Sequence, residues 1–443
     1  MTTTLDTIES RLHQDIGDYI EVIVTTNINA DTLIVSTHLA NYDNGRDDRF
    51  NGWYVYITDK ANIGVERLIA DYDTSSTQIT VQGANLADDT TNAATIRVYR
   101  HSRLETVRAV NNASRYIYPS LFKEVDDMSL ITGNILPPFN WSTTALLDHY
   151  TEPTGTLLKV TSGGTVRNGP TSAKVTGSGA NDDLVLDSDD YPRLLDIMGK
   201  SVNLYCWVDP EVANDAYIEI YTLADDGTTA QTLTSTTTNA AAVFTLLKLE
   251  DQAISDDLHK IEIRLRTTTT TKYIHFEPPR LICNDLGIHE YLLPTDLQTG
   301  TVRQVYVQTR GYSDDICDDL HPRHWDKVFD WKIINDGTDR YLRLESSYPN
   351  NHRIRLIGDS PLETFTALTT NATETISLTD GRYIDLLIAR SKYELFKILR
   401  GSPASEDVSR YKDALAETWA EYMGLLSRHK MTRKTGTLKL QVY

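Results

Sequence analysis

Side chains able to do recognition chemistry recur in three stretches of alternating character. In Ser201–Val208, Val202, Leu204, Cys206 and Val208 point one way and Tyr205 and Trp207 the other, because side chains alternate along a strand. In Ala216–Thr222, Ala216, Ile218 and Ile220 share a face opposed by Tyr217, Glu219 and Tyr221. In Lys260–Arg266, Ile261, Ile263 and Leu265 oppose Glu262 and Arg264. If the apolar faces form a core, Tyr205, Trp207, Tyr217 and Tyr221 are expected on one concave wall, with Glu219 and Arg264 among them. Sugars are bound by such walls: aromatic rings meet their apolar faces and charged groups meet their hydroxyls.

Other clusters are weaker. Asp182, Asp183, Asp187, Asp189 and Asp190 are acid-rich, and Asp187, Asp189 and Asp190 are a Ca²⁺ candidate. Their spacing is not that of an EF-hand, so a solvated acidic loop and no bound metal are expected. Cys317, His321 and His324 lack a fourth ligand for zinc. The cysteines Cys206, Cys283 and Cys317 show no CxxC spacing and are expected to be buried free thiols. No Gly-x-Ser-x-Gly, phosphate loop or His-Glu-x-x-His is present, so neither catalysis nor a cofactor is expected.

The elements that must position these residues are mostly strands. The chain has 443 residues, enough for two to four domains, and is rich in threonine, which suits strands. A net charge of −19 argues against a sequence-independent DNA binder, which needs a basic surface. No long apolar run exists, so membrane insertion is not expected, and the first residues do not read as a secretory signal. Short strands over Tyr19–Arg100 suggest a small barrel, and those between Gly133 and Ile282 a two-sheet sandwich.

Helical spacing occurs near the ends. Leu5, Ile8, Leu12 and Ile16 mark one short helix, and Leu104, Val107 and Val110 begin another that stops before Pro119. Ile384, Ile388, Leu395 and Leu399 share a face after the cap Asp380, and Gly401 and Pro403 end that helix. Leu415, Trp419, Tyr422 and Leu426 form the apolar stripe of the last one, which starts near Ser405. The helix pair is expected to pack on residues 102–118, burying Trp419.

Three stretches resemble known families. Gly52-Trp53-Tyr54-Val55-Tyr56-Ile57, Gly64-Val65-Glu66-Arg67-Leu68-Ile69 and Gln78-Ile79-Thr80-Val81 resemble, across residues 19–101, a small barrel of tailed-bacteriophage structural proteins. Gly133-Asn134, Phe139-Asn140-Trp141, Thr171-Ser172-Ala173-Lys174-Val175 and Tyr273-Ile274-His275-Phe276 resemble a jelly-roll carbohydrate-binding module, without its usual cluster of tryptophans. Leu293-Pro294-Thr295-Asp296-Leu297 and the strands after it resemble the β part of phage head–tail adaptors. Together they imply a mainly β fold with a small helical bundle. Residues 1–123 and 285–443 would form one scaffold, interrupted after Pro119 by a sandwich over 133–283.

The function so implied is that of a virion structural protein, assembled in the host cytoplasm and placed at the neck or tail. Its main form is a connector adaptor: copies in a ring below the portal protein, touching tail or neck proteins, with DNA passing through and no sequence read. The alternative is a tail, baseplate or host-adhesion protein whose inserted module binds surface glycan.

Overall fold

The computed structural model describes residues 2–432 apart from 27, 30, 90–93, 162–164, 168–170, 180–181, 237–238, 310–324, 367–373 and 401–407. The zinc candidates Cys317, His321 and His324 and the turn containing Gly401, Pro403 and Ser405 lie outside these residues. The fold is mainly β, with a small helical bundle. The described residues divide into two compact units, those of 2–123 with those of 361–432, and those of 124–360.

In the first unit six antiparallel strands curl into one sheet, in the order Ile20–Ile23, Thr95–Tyr99, Tyr54–Ile57, Glu66–Asp73, Gln78–Val81 and Leu33–Val35. Ile34, Phe50, Ile69, Tyr72, Ile79 and Ile96 fill it. Its hairpin at Asp73 is an Asx turn, in which the Asp73 carboxylate accepts from Ser75 N at 2.8 Å. The helix Leu5–Ile16 is capped by Thr4, which accepts from Thr7 N, and by Gly17 at φ 81. The helix Arg103–Ile117 is capped by Ser102.

Leu5, Ile8 and Leu12 meet Val107, Val110 and Ala113 and then Ile384, Leu387, Ile388 and Tyr422 of the helices Gly381–Arg400 and Val408–His429. Leu395 packs on Ala109, and Leu104 and Leu415 are half-buried. Trp419 departs from expectation, at 41% exposed. It leans along the bundle surface, 4.9 Å from the Tyr393 ring and 5.5 Å from that of Tyr422. The Arg390 guanidinium lies 5.4 Å from the Trp419 ring and 5.2 Å from that of Tyr422, and donates to Glu394 at 2.6 Å.

In the second unit a two-sheet sandwich carries its own core. One sheet runs Thr156–Val160, Ser172–Thr176, Tyr273–Phe276, Ser201–Pro210 and Thr245–Ala253, with Arg280–Cys283 also pairing Ser201–Pro210. The other runs Thr229–Thr234, Ala216–Leu223, Lys260–Thr267, Asp182–Asp187 and Tyr150–Thr151. Leu204, Cys206, Ile218, Ile220, Ile263 and Phe276 are among the buried residues between them. Cys206 and Cys283 are buried free thiols.

Two small sheets make a second core in this unit. One is Trp325–Val328, Thr301–Gln308, Arg353–Ser360 and Lys123–Ile131, and the other Glu290–Leu292, Arg340–Leu344 and Trp331–Asn335. Val125, Val305, Leu342 and Leu356 lie in that core. The sandwich therefore leaves the chain after Ile131, one strand later than the position after Pro119. Residues 285–360 fall in the unit of the sandwich, whereas the sequence reading grouped them with the helices. The ends of the excursion are held together: Asn134 pairs with Ile282, and its side chain accepts from Leu281 N at 2.9 Å. Asn140 clamps the neighbouring body, donating to Leu293 O at 3.0 Å and accepting from Thr295 N at 2.9 Å.

Candidate functional site

The outer face of the five-stranded sheet collects charged and aromatic side chains in rows fixed by strand register. Tyr217 stands beside Arg266 and Arg266 beside Asp183; Glu219 stands beside Arg264; Tyr221 beside Glu262 and Glu262 beside Asp187. Side chains on these residues face away from the core because Ile218, Ile220, Ile263 and Leu265 face into it.

The rows are knitted by charge-assisted hydrogen bonds. The Arg264 guanidinium lies 3.6 Å from the Tyr221 ring centroid, donates to Glu219 at 3.1 Å and to Glu262 at 2.8 Å. Arg266 bonds Asp183 and donates to Glu219 at 3.2 Å. Glu219 is 2% exposed, yet two guanidinium groups and the Thr234 hydroxyl satisfy it. Burial pushes the Asp183 carboxyl up, against the pull of Arg266. Burial would lower the Lys260 ammonium, but hydrogen bonds to Asp187 and Asp189 hold it above its ordinary value.

Tyr205 and Trp207 are elsewhere. Their strand belongs to the six-stranded sheet, so they lie on its outer face with the core between them and Tyr217, Glu219, Tyr221 and Arg264. The expected single wall of six residues is two faces on opposite sides of the sandwich. Alternation tells which residues share a side of one strand; it does not tell to which sheet the strand is assigned. Trp207 is also roofed, with the Arg167 guanidinium 3.8 Å from a ring centroid, and Arg280 stands 5.4 Å over Tyr205.

The acidic cluster is no loop over its first half. Leu184 and Leu186 enter the core, so Asp182–Asp187 is a strand with its acids at the ends and on the outer face. Asp182 accepts from Thr154 N and Gly155 N at 2.8 Å each, and from Ser178 N at 3.0 Å. Lys260 Nζ sits 2.9 Å from Asp187 and 3.0 Å from Asp189, an ammonium where the calcium reading would put a cation. Among the described residues no group of three His, Cys, Asp or Glu is placed to hold a metal ion.

The sequence reading missed Lys260, Arg266, Asp183 and Asp187 as members of the ladder. The signal was there for the first two, at the same period of two as Glu262 and Arg264. No helix among the described residues is long and apolar enough to cross a membrane.

No family model matches this chain, and no curated relative matches it. Among solved structures it is similar to the enzymatically active domain of bacteriophage CBA120 tailspike protein 4, with a TM-score of 0.28 and 14% identity over 34% of this chain and 21% of that one. The match thus spans about a fifth of the tailspike chain. It is also similar to the CBM22-1 xylan-binding domain of Paenibacillus barcinonensis Xyn10C, with a TM-score of 0.27 and 16% identity over 34% of this chain and 96% of that one. A third similar structure is TmCBM61 in complex with beta-1,4-galactotriose, with a TM-score of 0.24 and 10% identity over 34% of this chain and 99% of that one.

Proposed function

We propose that this chain is a non-catalytic tail or host-adhesion protein of a tailed phage, and that its sandwich binds surface glycan through the outer face of the five-stranded sheet. The observation that carries this reading is the Tyr221–Arg264–Glu219–Arg266 ladder. Its donors and acceptors are held by one another before a ligand arrives, which lowers the ordering cost of binding. Guanidinium donors beside carboxylate acceptors suit neighbouring hydroxyls, and the Tyr221 ring stacked on Arg264 helps to hold that donor in place.

The test is a glycan array with the full chain and with Tyr221→Ala and Arg264→Gln. Each variant should weaken binding about tenfold, the effect of losing ~1.4 kcal/mol. Binding unchanged in both variants, or no glycan bound by the native chain, would remove this reading.

The connector reading is favoured by one feature, the exposed apolar surface of the helical bundle. Tyr116 is 60%, Met423 46% and Trp419 41% exposed. A ring of copies, meeting the portal and tail or neck proteins around passing DNA, would cover such surface. Electron micrographs of the purified chain should then show closed rings, and a monomer at high concentration would discard it.

A further inference from the structure

Beside the point where the sandwich joins the three-stranded sheet, the second unit holds an open cavity of about 310 Å³. This is at the small end of ligand sites, roughly 300–1,000 Å³. One wall is apolar, from Ile135, Leu286 and Ile288. The rest of the lining is polar, from Arg193, Asp196, His289, Glu290 and Arg343, and these groups differ in how far they are already satisfied.

Arg193 is spent: it donates to Glu290 O and to the Glu290 carboxylate, at 2.8 Å each. Arg343 is not. It stands 3.5 Å from Glu290 and 3.8 Å from Glu345, with its side chain 42% exposed. His289 Nδ1 lies 3.1 Å from Leu344 O, so Nδ1 carries the proton and donates. That leaves Nε2 as an acceptor in the neutral ring. Asp196, exposed at the rim, adds a carboxylate.

We propose that this cavity binds one neutral sugar residue, as a site separate from the sheet face. A donor fork, an imidazole acceptor and a carboxylate acceptor in one cavity with aliphatic side chains match a ring that carries both hydroxyls and C–H groups. Charge selects against ionic ligands: Arg193 and Arg343 are balanced by Glu290 and Asp196, so a charged ligand would bring an uncompensated charge. It shares no lining residue with the Tyr221 ladder and is partly built from the neighbouring body, through Glu290 and Arg343, which makes it independent of that ladder. Loss of binding on the sheet would leave it intact.

The full chain is titrated with free D-glucose, D-galactose, D-xylose, L-rhamnose and D-glucuronic acid, and binding is read by saturation-transfer NMR. Two variants address the cavity. At Gly287 an added Cβ would meet only His289 Nε2, at 3.6 Å, and its Cδ2, at 3.9 Å, both ordinary contacts, so Gly287→Leu fills space beside the imidazole. Arg343→Gln removes the exposed fork and keeps the fold if the filled variant does not. At least one neutral sugar should bind, with millimolar affinity. Binding should weaken about tenfold in either variant and be unchanged in Tyr221→Ala. Binding of none of the neutral sugars, signals that survive both cavity variants, or loss in Tyr221→Ala alone would overturn the proposal.

Discussion

Glu9 and Arg103 carry opposite charges into the bundle, at 5% and 2% exposure. The guanidinium donates to both Glu9 oxygens at 3.0 Å and to Tyr56 Oη at 2.9 Å. Burial raises the Glu9 carboxyl, and Arg103 opposes that rise. Removing Arg103 strands a buried carboxylate, so Arg103→Met should cost about 3–5 kcal/mol in urea unfolding. A raised folded pKa means that protonating Glu9 favours the folded state over the unfolded one. The variant should therefore recover stability as pH falls through the Glu9 value and lose it as pH climbs; a pH-independent loss would contradict this. Trp419→Ala should cost only about 1 kcal/mol or less in the free chain, because the side chain is a surface group. The same substitution in a buried stripe would cost about 3 kcal/mol or more, and thermal melting separates the two.

Elements are decided by patterns that one residue type can disguise. Acids at Asp182, Asp183 and Asp187 hide a strand whose only apolar inward residues are Leu184 and Leu186. At its start Asp182 is a working part. Burial alone would raise its carboxyl, but hydrogen bonds from Ser178 N, Thr154 N and Gly155 N keep it below its ordinary value. A depressed folded pKa means that unfolding takes up a proton. This contribution is therefore present above the ordinary carboxyl value and lost as pH falls through the folded one. Asp182→Asn should destabilise the sandwich by about 2 kcal/mol at neutral pH, the scale of a hydrogen bond to a charged group. It should also flatten the acid limb of the stability curve. An acid limb identical to that of the native chain would show that Asp182 is not responsible. The helices were easier to read, because caps and three-to-four spacing are local: Leu5, Ile8 and Leu12 share the buried face expected of them, and Asp380 accepts from Arg382 N at the start of its helix.

At the scale of the whole molecule, the first unit closes its own cores in the barrel and the bundle. Its chain breaks lie near each other, since Lys123 Nζ is 3.3 Å from the Glu363 carboxylate. A chain in which a short linker joins Lys123 directly to Pro361 should melt cooperatively; a non-cooperative transition would show that the second unit is needed for its fold. The sequence by itself determined the mainly β character, the positions of most strands and helices, and the side of each strand that carries Tyr221, Glu219 or Arg264. Those follow from side-chain alternation and capping, which act over a few residues. Only the tertiary structure decided the rest. It put Tyr205 and Trp207 on the opposite sheet and gave Lys123–Ile131 to the β body beside the sandwich. It left Trp419 on the surface and brought Arg343 to His289 beside the Leu286–Ile288 wall. Each of these depends on which segments, far apart in the chain, share a sheet or a core, and pairing of that kind leaves no period in the sequence.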